Sequence, residues 1–142
     1  MAIVTFKSDS TTLVLNGQVI SDFINGDILE IAPVNPETSR TYGINKAVNI
    51  QHRADKDVYT IKFRVMRNSD SDIWLNSQLN TPIPTVFDGS VKEFFQKDGE
   101  EHIENWEIFA GSFTDKPTHT KNNQDGNSTV EYTIEAFMRR LV

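Results

Sequence analysis

Cysteine is absent from all 142 residues. That removes disulfide scaffolds, thiolate zinc sites and cysteine nucleophiles, and it fits a chain folded in a reducing cytoplasm. A long apolar run is also missing: no stretch approaches the ~20 residues that span a bilayer. The opening "MAIVTFKSDSTT" has too short an apolar stretch for a signal peptide, so no targeting segment is expected. Basic residues are scarce as well. Fourteen Lys and Arg stand against 20 Asp and Glu, a net charge of −6, which argues against tight nucleic-acid binding because that needs a basic surface to displace counterions. An acidic surface still lets DNA pass without adhering.

Catalytic signatures are equally thin. No Gly-x-Ser-x-Gly elbow, phosphate loop or dinucleotide fingerprint occurs. The stretch "KNNQDGNSTVEY", residues 121–132, looks like a calcium loop but puts Lys121 at the first ligand position and Tyr132 at the twelfth. A cation at the first position repels the ion, and the twelfth needs a bidentate carboxylate. His52, His102 and His119 lack H-x₃-H or H-E-x-x-H spacing, so a metal site with Glu101 or Glu104 is not supported. Asp70 and Asp72 suit a helix N-terminus without any catalysis. The acidic run Asp98–Glu107 reads as a solvated hairpin, with a hydrolase as a distant alternative. No cofactor and no metal are expected, and no enzyme.

What is present is β-structure. Five of the seven glycines sit in Asn-Gly or Asp-Gly pairs, at Gly17, Gly26, Gly89, Gly99 and Gly126. Such pairs supply the positive φ of tight hairpin turns. Between them, "DVYTIKFRVM" alternates Tyr59, Ile61, Phe63 and Val65 against Thr60, Lys62 and Arg64, and "STVEYTIEAFMRRL" alternates Val130, Tyr132, Ile134, Ala136 and Met138 against Glu131, Thr133 and Glu135. Period two is the mark of a half-buried antiparallel strand. "INKAVNIQHR" also alternates, and "PTVFDGSVKEFF" reads as a hairpin around Asp88-Gly89. Ser69, three residues before Asp72, starts the one helical stretch, about residues 70–80, which Pro82 and Pro84 stop. The fold class is mainly β, an antiparallel sandwich or barrel with one short flanking α-helix, in a single domain. Trp74, Phe94, Phe95 and Trp106 are expected to build the core under that helix. Two polar segments, about 33–46 and 114–128, read as long loops, which usually carry function or meet a partner.

The basic residues Arg53, Lys56, Lys62, Arg64 and Arg67 cluster within fifteen positions. They suit a strand face that meets an acidic surface on another subunit, and equally a solvated face. The polar sets Glu131, Thr133, Glu135 and Asn49, Gln51, Arg53 suit a water-filled channel.

The segment order "TTLVLNGQVISDFINGDILEIAPVNPETSR", "DVYTIKFRVMRNSDSD", "FDGSVKEFF" and "GSFTDKPTHTKNNQDGNSTVEYTI" resembles the tail tube proteins of contractile-tailed bacteriophages. The resemblance spans about residues 10–137. It implies a small β-sandwich with one helix, of which six copies close into a ring around a central channel. Rings then stack into the tube that carries DNA and the tape-measure protein inside a contractile sheath, on a baseplate, in the virion. It implies an inter-strand arm, about 33–46, reaching an adjacent ring or neighbour, with Pro36, Glu37, Thr38, Ser39, Arg40, Thr41 and Tyr42 as interface candidates, and contact by the C-terminal residues 139–142, including Arg139 and Arg140; Arg53, Lys62 and Arg64 join them from the basic strand face. The N-terminal segment, about 1–9, is a further contact candidate. Glu131, Thr133 and Glu135 are the candidates for facing the channel. Alternatives are a baseplate or initiator subunit, a type-six-like secretion tube subunit, and a monomeric β-barrel for a small ligand.

Overall fold

Strand alternation decides the architecture. The structure, a computed structural model, describes residues 2–24, 29–124, 126 and 128–141. The turn read at Asn25-Gly26, and Asp125 of the Asp125-Gly126 pair, lie outside the described residues. The elements are β1 (Val4–Leu15), β2 (Gln18–Ile20), β3 (Leu29–Pro33), β4 (Thr38–Tyr42), β5 (Val48–His52), β6 (Val58–Met66), α1 (Asp70–Leu79), β7 (Phe87–Lys97), β8 (Glu100–Phe113), β9 (Thr118–Thr120) and β10 (Thr129–Arg140). The protein is mainly β, antiparallel, with one short helix among the described residues.

The main sheet runs β2-β1-β7-β8-β10-β6-β3, with β9 beside the start of β10. Past β2, a bridge pairs Phe23 with Val65 of β6, and Asp22 O accepts from Met66 N at 2.8 Å. The sheet thereby curls until its β2 end meets β6, close to a closed barrel. Its interior is filled by side chains. Val130, Tyr132, Ile134, Ala136 and Met138 of β10 are all buried, as are Ile61, Phe63 and Val65 of β6. Leu13, Leu15, Phe87, Val91 and Ile108 close the core from the other side.

The two hairpin turns read from Asn16-Gly17 and Asp98-Gly99 form as expected. Both residues of each pair have positive φ (50° and 79°, 52° and 83°), the type I′ geometry that matches strand twist. Asp88-Gly89 does not turn, which corrects the sequence reading. β7 runs straight through it, because Gly89 lets the β1 backbone pass. A Cβ there would lie 1.8 Å from Val14 O. Asp88 instead supports a bulge in β8 at Ala110 (φ 54°), where the Ala110 N–H put out of the ladder donates to Asp88 Oδ1 at 3.0 Å.

Helix α1 starts as read, with Ser69 Oγ accepting from Asp72 N at 3.3 Å. Leu75 packs it into the core. Asp72 then ties helix to sheet: Tyr132 Oη donates to Asp72 Oδ1 at 2.6 Å, and Asn68 N donates to Oδ2 at 2.8 Å. Burial, reinforced by this carboxylate, pushes the Tyr132 phenol well above its ordinary range.

The aromatic assignment needs correction. Trp74 and Trp106 pack against the core, but Phe94 is exposed and Phe95 lies out on the β7–β8 extension. The core aromatics are Phe63, Phe87 and Tyr132, linked through Phe113 with ring centroids 5.1 Å from Phe87 and 5.8 Å from Tyr132. The segments read as loops also hold strands: β4 lies within 33–46 and β9 within 114–128. Residues 44–47, taken with the strand "INKAVNIQHR", form the turn before β5. The N-terminal segment likewise enters β1 at Val4.

Candidate functional site: an arm, a ribbon and an outer face

Strands β4 and β5 form a two-stranded sheet of their own, apart from the main sheet. Their register pairs Arg40 with Ile50 and Tyr42 with Val48, and Ser39 with Gln51 and Thr41 with Asn49. Directly opposed residues share a face, so the hairpin is two-sided. One face carries Arg40, Tyr42, Val48 and Ile50; the other is wholly polar. No described residue of the chain covers the apolar face. Tyr42 is 69% exposed, Ile50 57%, and Ile44 at the turn is fully exposed. Arg40 lies over the Tyr42 ring at 5.5 Å.

The base of this arm is fixed. Arg53 N donates to Glu37 O at 3.2 Å, and Val34 N to Val58 O at 3.0 Å. Glu37 Oε1 lies 3.6 Å from His52 Nδ1 and 3.8 Å from Lys56 Nζ. Arg53 grips Asp55 with two bonds, 2.9 and 3.0 Å. Those hydrogen bonds lower the Asp55 carboxyl and raise the Arg53 guanidinium relative to their ordinary values. Pro36 is exposed where the arm leaves the body.

At the far end of β7 and β8 the strands outrun the barrel. There Val4, Thr5 and Phe6 of β1 pair with Lys97, Gln96 and Phe95, which pair with Glu100, Glu101 and His102 of β8. The result is a three-stranded ribbon. Where it leaves the barrel, Glu93 opposes Glu104; Thr11 donates to Glu93, Trp106 Nε1 donates to Glu104 at 2.9 Å, and Arg140 Nε lies 3.8 Å from Glu104.

The sequence candidates separate into three groups. Residues 36–42 and Arg53 belong to the arm. Lys62, Arg64, Glu131, Thr133 and Glu135 all lie on the outer face of β6 and β10, where Glu131 opposes Arg64 and Thr133 opposes Lys62. Arg139 sits opposite Glu107 beside the exposed pair Phe109 and Phe137, and Arg140 reaches the ribbon's mouth. The interface and channel sets are thus brought together on one face at Lys62 and Arg64. Glu131, Thr133 and Glu135 are half-buried there, with β9 alongside Glu131.

Two features escaped the sequence reading. The ribbon's aromatic row of Phe6, Phe95 and His102 needed the register of three strands. The arm's amphipathic faces were half visible, because Arg40, Tyr42, Val48 and Ile50 alternate correctly once residues 38–42 are read as a strand. The three histidines fall on the arm, the ribbon and β9, and among the described residues no three His, Asp or Glu converge as a metal set. No helix among them is long and apolar enough to cross a membrane.

These features define a mainly β, near-closed barrel with two protruding elements. No protein-family model matches the chain, and no curated protein matches it. Among solved structures, it is similar to Hcp1 from Flavobacterium johnsoniae, at 13% identity and a TM-score of 0.49, covering 92% of this chain and 94% of that one.

Proposed function

We propose that the chain is a structural subunit that assembles with copies of itself into a tube of the tail-tube type. The observation that carries this reading is the uncovered apolar face of the β4–β5 arm. A lone two-stranded hairpin is marginal in water, and each large apolar side chain left exposed forgoes about 1.5–3 kcal/mol of burial. Tyr42, Ile44, Val48 and Ile50 together are stabilised only when a partner covers them. A second copy is always at hand, and an arm that meets a different patch of the next copy propagates into rings or stacks.

In this reading six copies close a ring, rings stack around a channel, and the tube delivers DNA and a tape-measure protein through a sheathed tail on a baseplate in a phage virion. The segment-order resemblance over most of the chain supports it. The chain acts as scaffold and not as enzyme, without cofactor. A baseplate or initiator subunit, or a type-six-like secretion tube, would use the same arm with different partners. The monomeric ligand barrel is disfavoured by an interior filled with Phe63, Phe87 and Tyr132.

The test is deletion of residues 36–42 in the full chain, with purified assemblies viewed by negative-stain microscopy. Loss or shortening of tubes is expected, with the thermal midpoint close to wild type. Tubes of normal length without those residues would remove the arm from assembly.

A further inference from the structure

The ribbon offers a surface that matches the arm. Its core-facing side continues past the barrel as the row Phe6, Phe95 and His102, with ring centroids 5.9 Å and 5.6 Å apart. Phe94 opposes Ile103 on the other side. Thr5, Gln96 and Glu101 share that side with Phe94 and Ile103 and border a groove of about 430 Å³, where Phe94 is 47% and Ile103 44% exposed. Among the described residues, the groove's one formally charged side chain is Glu101, and the ribbon's end carries the acids Asp98 and Glu100 against one cation, Lys97, so the end is net acidic. The arm's apolar face and turn carry Arg40 and Lys46, both cationic. Apolar surface and opposite charge therefore occur together on both partners, the combination that fixes register as well as attraction.

Resting on the assembly reading, we infer that the arm of one copy seats in the ribbon groove of the next. Tyr42, Ile44 and Ile50 lie against Phe94 and Ile103, and Arg40 faces Glu101 on that same side. Arm and groove are different patches of the chain, so each copy gives one arm and receives one. The contact is heterologous and repeats from copy to copy.

A chain without cysteine gives a clean test. Full-length Ile44→Cys on the arm is mixed with Ile103→Cys on the ribbon and treated with a short bismaleimide. A parallel mixture uses Arg139→Cys, beside the rival apolar patch of Phe109 and Phe137. Circular dichroism melts first establish that each variant folds. The Ile44→Cys and Ile103→Cys pair is expected to cross-link as a heterodimer, with little product from either variant alone. Arg40→Glu on the arm variant should cut the yield about tenfold, and Glu101→Arg on the ribbon variant should restore most of it. Cross-linking to Arg139→Cys instead overturns the groove assignment and leaves self-assembly standing, as do stained rings or tubes with no cross-link. A chain that stays monomeric by light scattering at the highest concentration, with no cross-link, overturns both the groove and the assembly reading.

Discussion

Replacing Tyr132 with Phe removes one hydroxyl from the centre of the fold and little else. The ring keeps its stacking on Phe63, centroids 5.9 Å apart, and its contact with Phe113. What is lost is the 2.6 Å bond to Asp72 Oδ1 and the weaker 3.2 Å approach to the Asp72 carbonyl. A hydrogen bond to a charged group contributes about 1.5–3 kcal/mol. Asp72 keeps the Asn68 N–H, so the carboxylate is not stripped bare, and a loss of about 2 kcal/mol is expected. For a domain of this size that is a drop of about 6 °C in Tm. Asp72→Ala should cost more, about 3 kcal/mol, because it leaves the Asn68 N–H without its acceptor and the phenol with only the longer 3.2 Å approach to the residue 72 carbonyl. The double variant should fall short of the sum by about 1 kcal/mol or more. Urea melts followed by tryptophan fluorescence read all three. The same bond has a pH signature. Folding raises the Tyr132 pKa, so its stabilisation is fully present below the unfolded tyrosine value of about 10. Above that the unfolded chain releases the proton first, and stability falls by up to about 1.4 kcal/mol per pH unit until the folded pKa is reached. Tyr132→Phe should lack this part of the alkaline decline. A Tyr132→Phe chain within about 0.5 kcal/mol of wild type, with an unchanged alkaline slope, refutes the latch.

Two glycines separate close approach from turn geometry. Gly89→Ala places a Cβ on Val14 O and should cost about 3 kcal/mol or more or yield insoluble protein, whereas Gly99→Ala meets open space and should cost only about 1 kcal/mol for its positive φ; equal losses in denaturant melts would remove the close-approach explanation. If the outer face of β10 lines a channel, assembled Glu131→Lys/Glu135→Lys protein should retain single- or double-stranded DNA on a filter at low salt and release it as salt rises. Its monomer stability should change by less than about 1 kcal/mol, since surface pairs contribute little. No retention at any salt would take that face out of the channel.

Legibility in the sequence followed the range of the forces involved. β6 and β10 were readable because each has one face in the core and one outside, so burial prints itself as period two at Ile61, Phe63 and Val65 and at Val130 through Met138. The Asn16-Gly17 and Asp98-Gly99 turns were readable because positive φ is a local demand. Asp88-Gly89 is the same dipeptide with a non-local cause, the passage of β1 from far earlier in the chain, and no local rule distinguishes the two. The adjacent pair Phe94 and Phe95 carries a local clue. Adjacent strand residues point to opposite faces, so on a strand they cannot both enter one core. β4 was hidden for another reason: "TSRTY" has no buried residue, and its alternation becomes meaningful only when β5 is laid beside it.

The same distinction orders the candidate sites. Lys62 and Arg64 were assigned to a subunit interface and Glu131 and Thr133 to a channel because each set is coherent along its own strand. Register across strands joins them: Arg64 stands opposite Glu131, and Lys62 stands between Glu30 and Thr133. The outer face of β6 and β10 is therefore a mixed-charge surface, with each base beside an acid. Such a face repels DNA less than a wholly acidic lining would, yet presents no basic stripe for phosphates to follow. It resists strong adhesion to either charge. The arm differs in kind. Its apolar side has no partner among the described residues of its own chain, while the charges of the outer face largely have theirs. In the proposed assembly the driving force therefore lies with the arm, and the outer face is left to be what the assembled copies would show to water or to cargo.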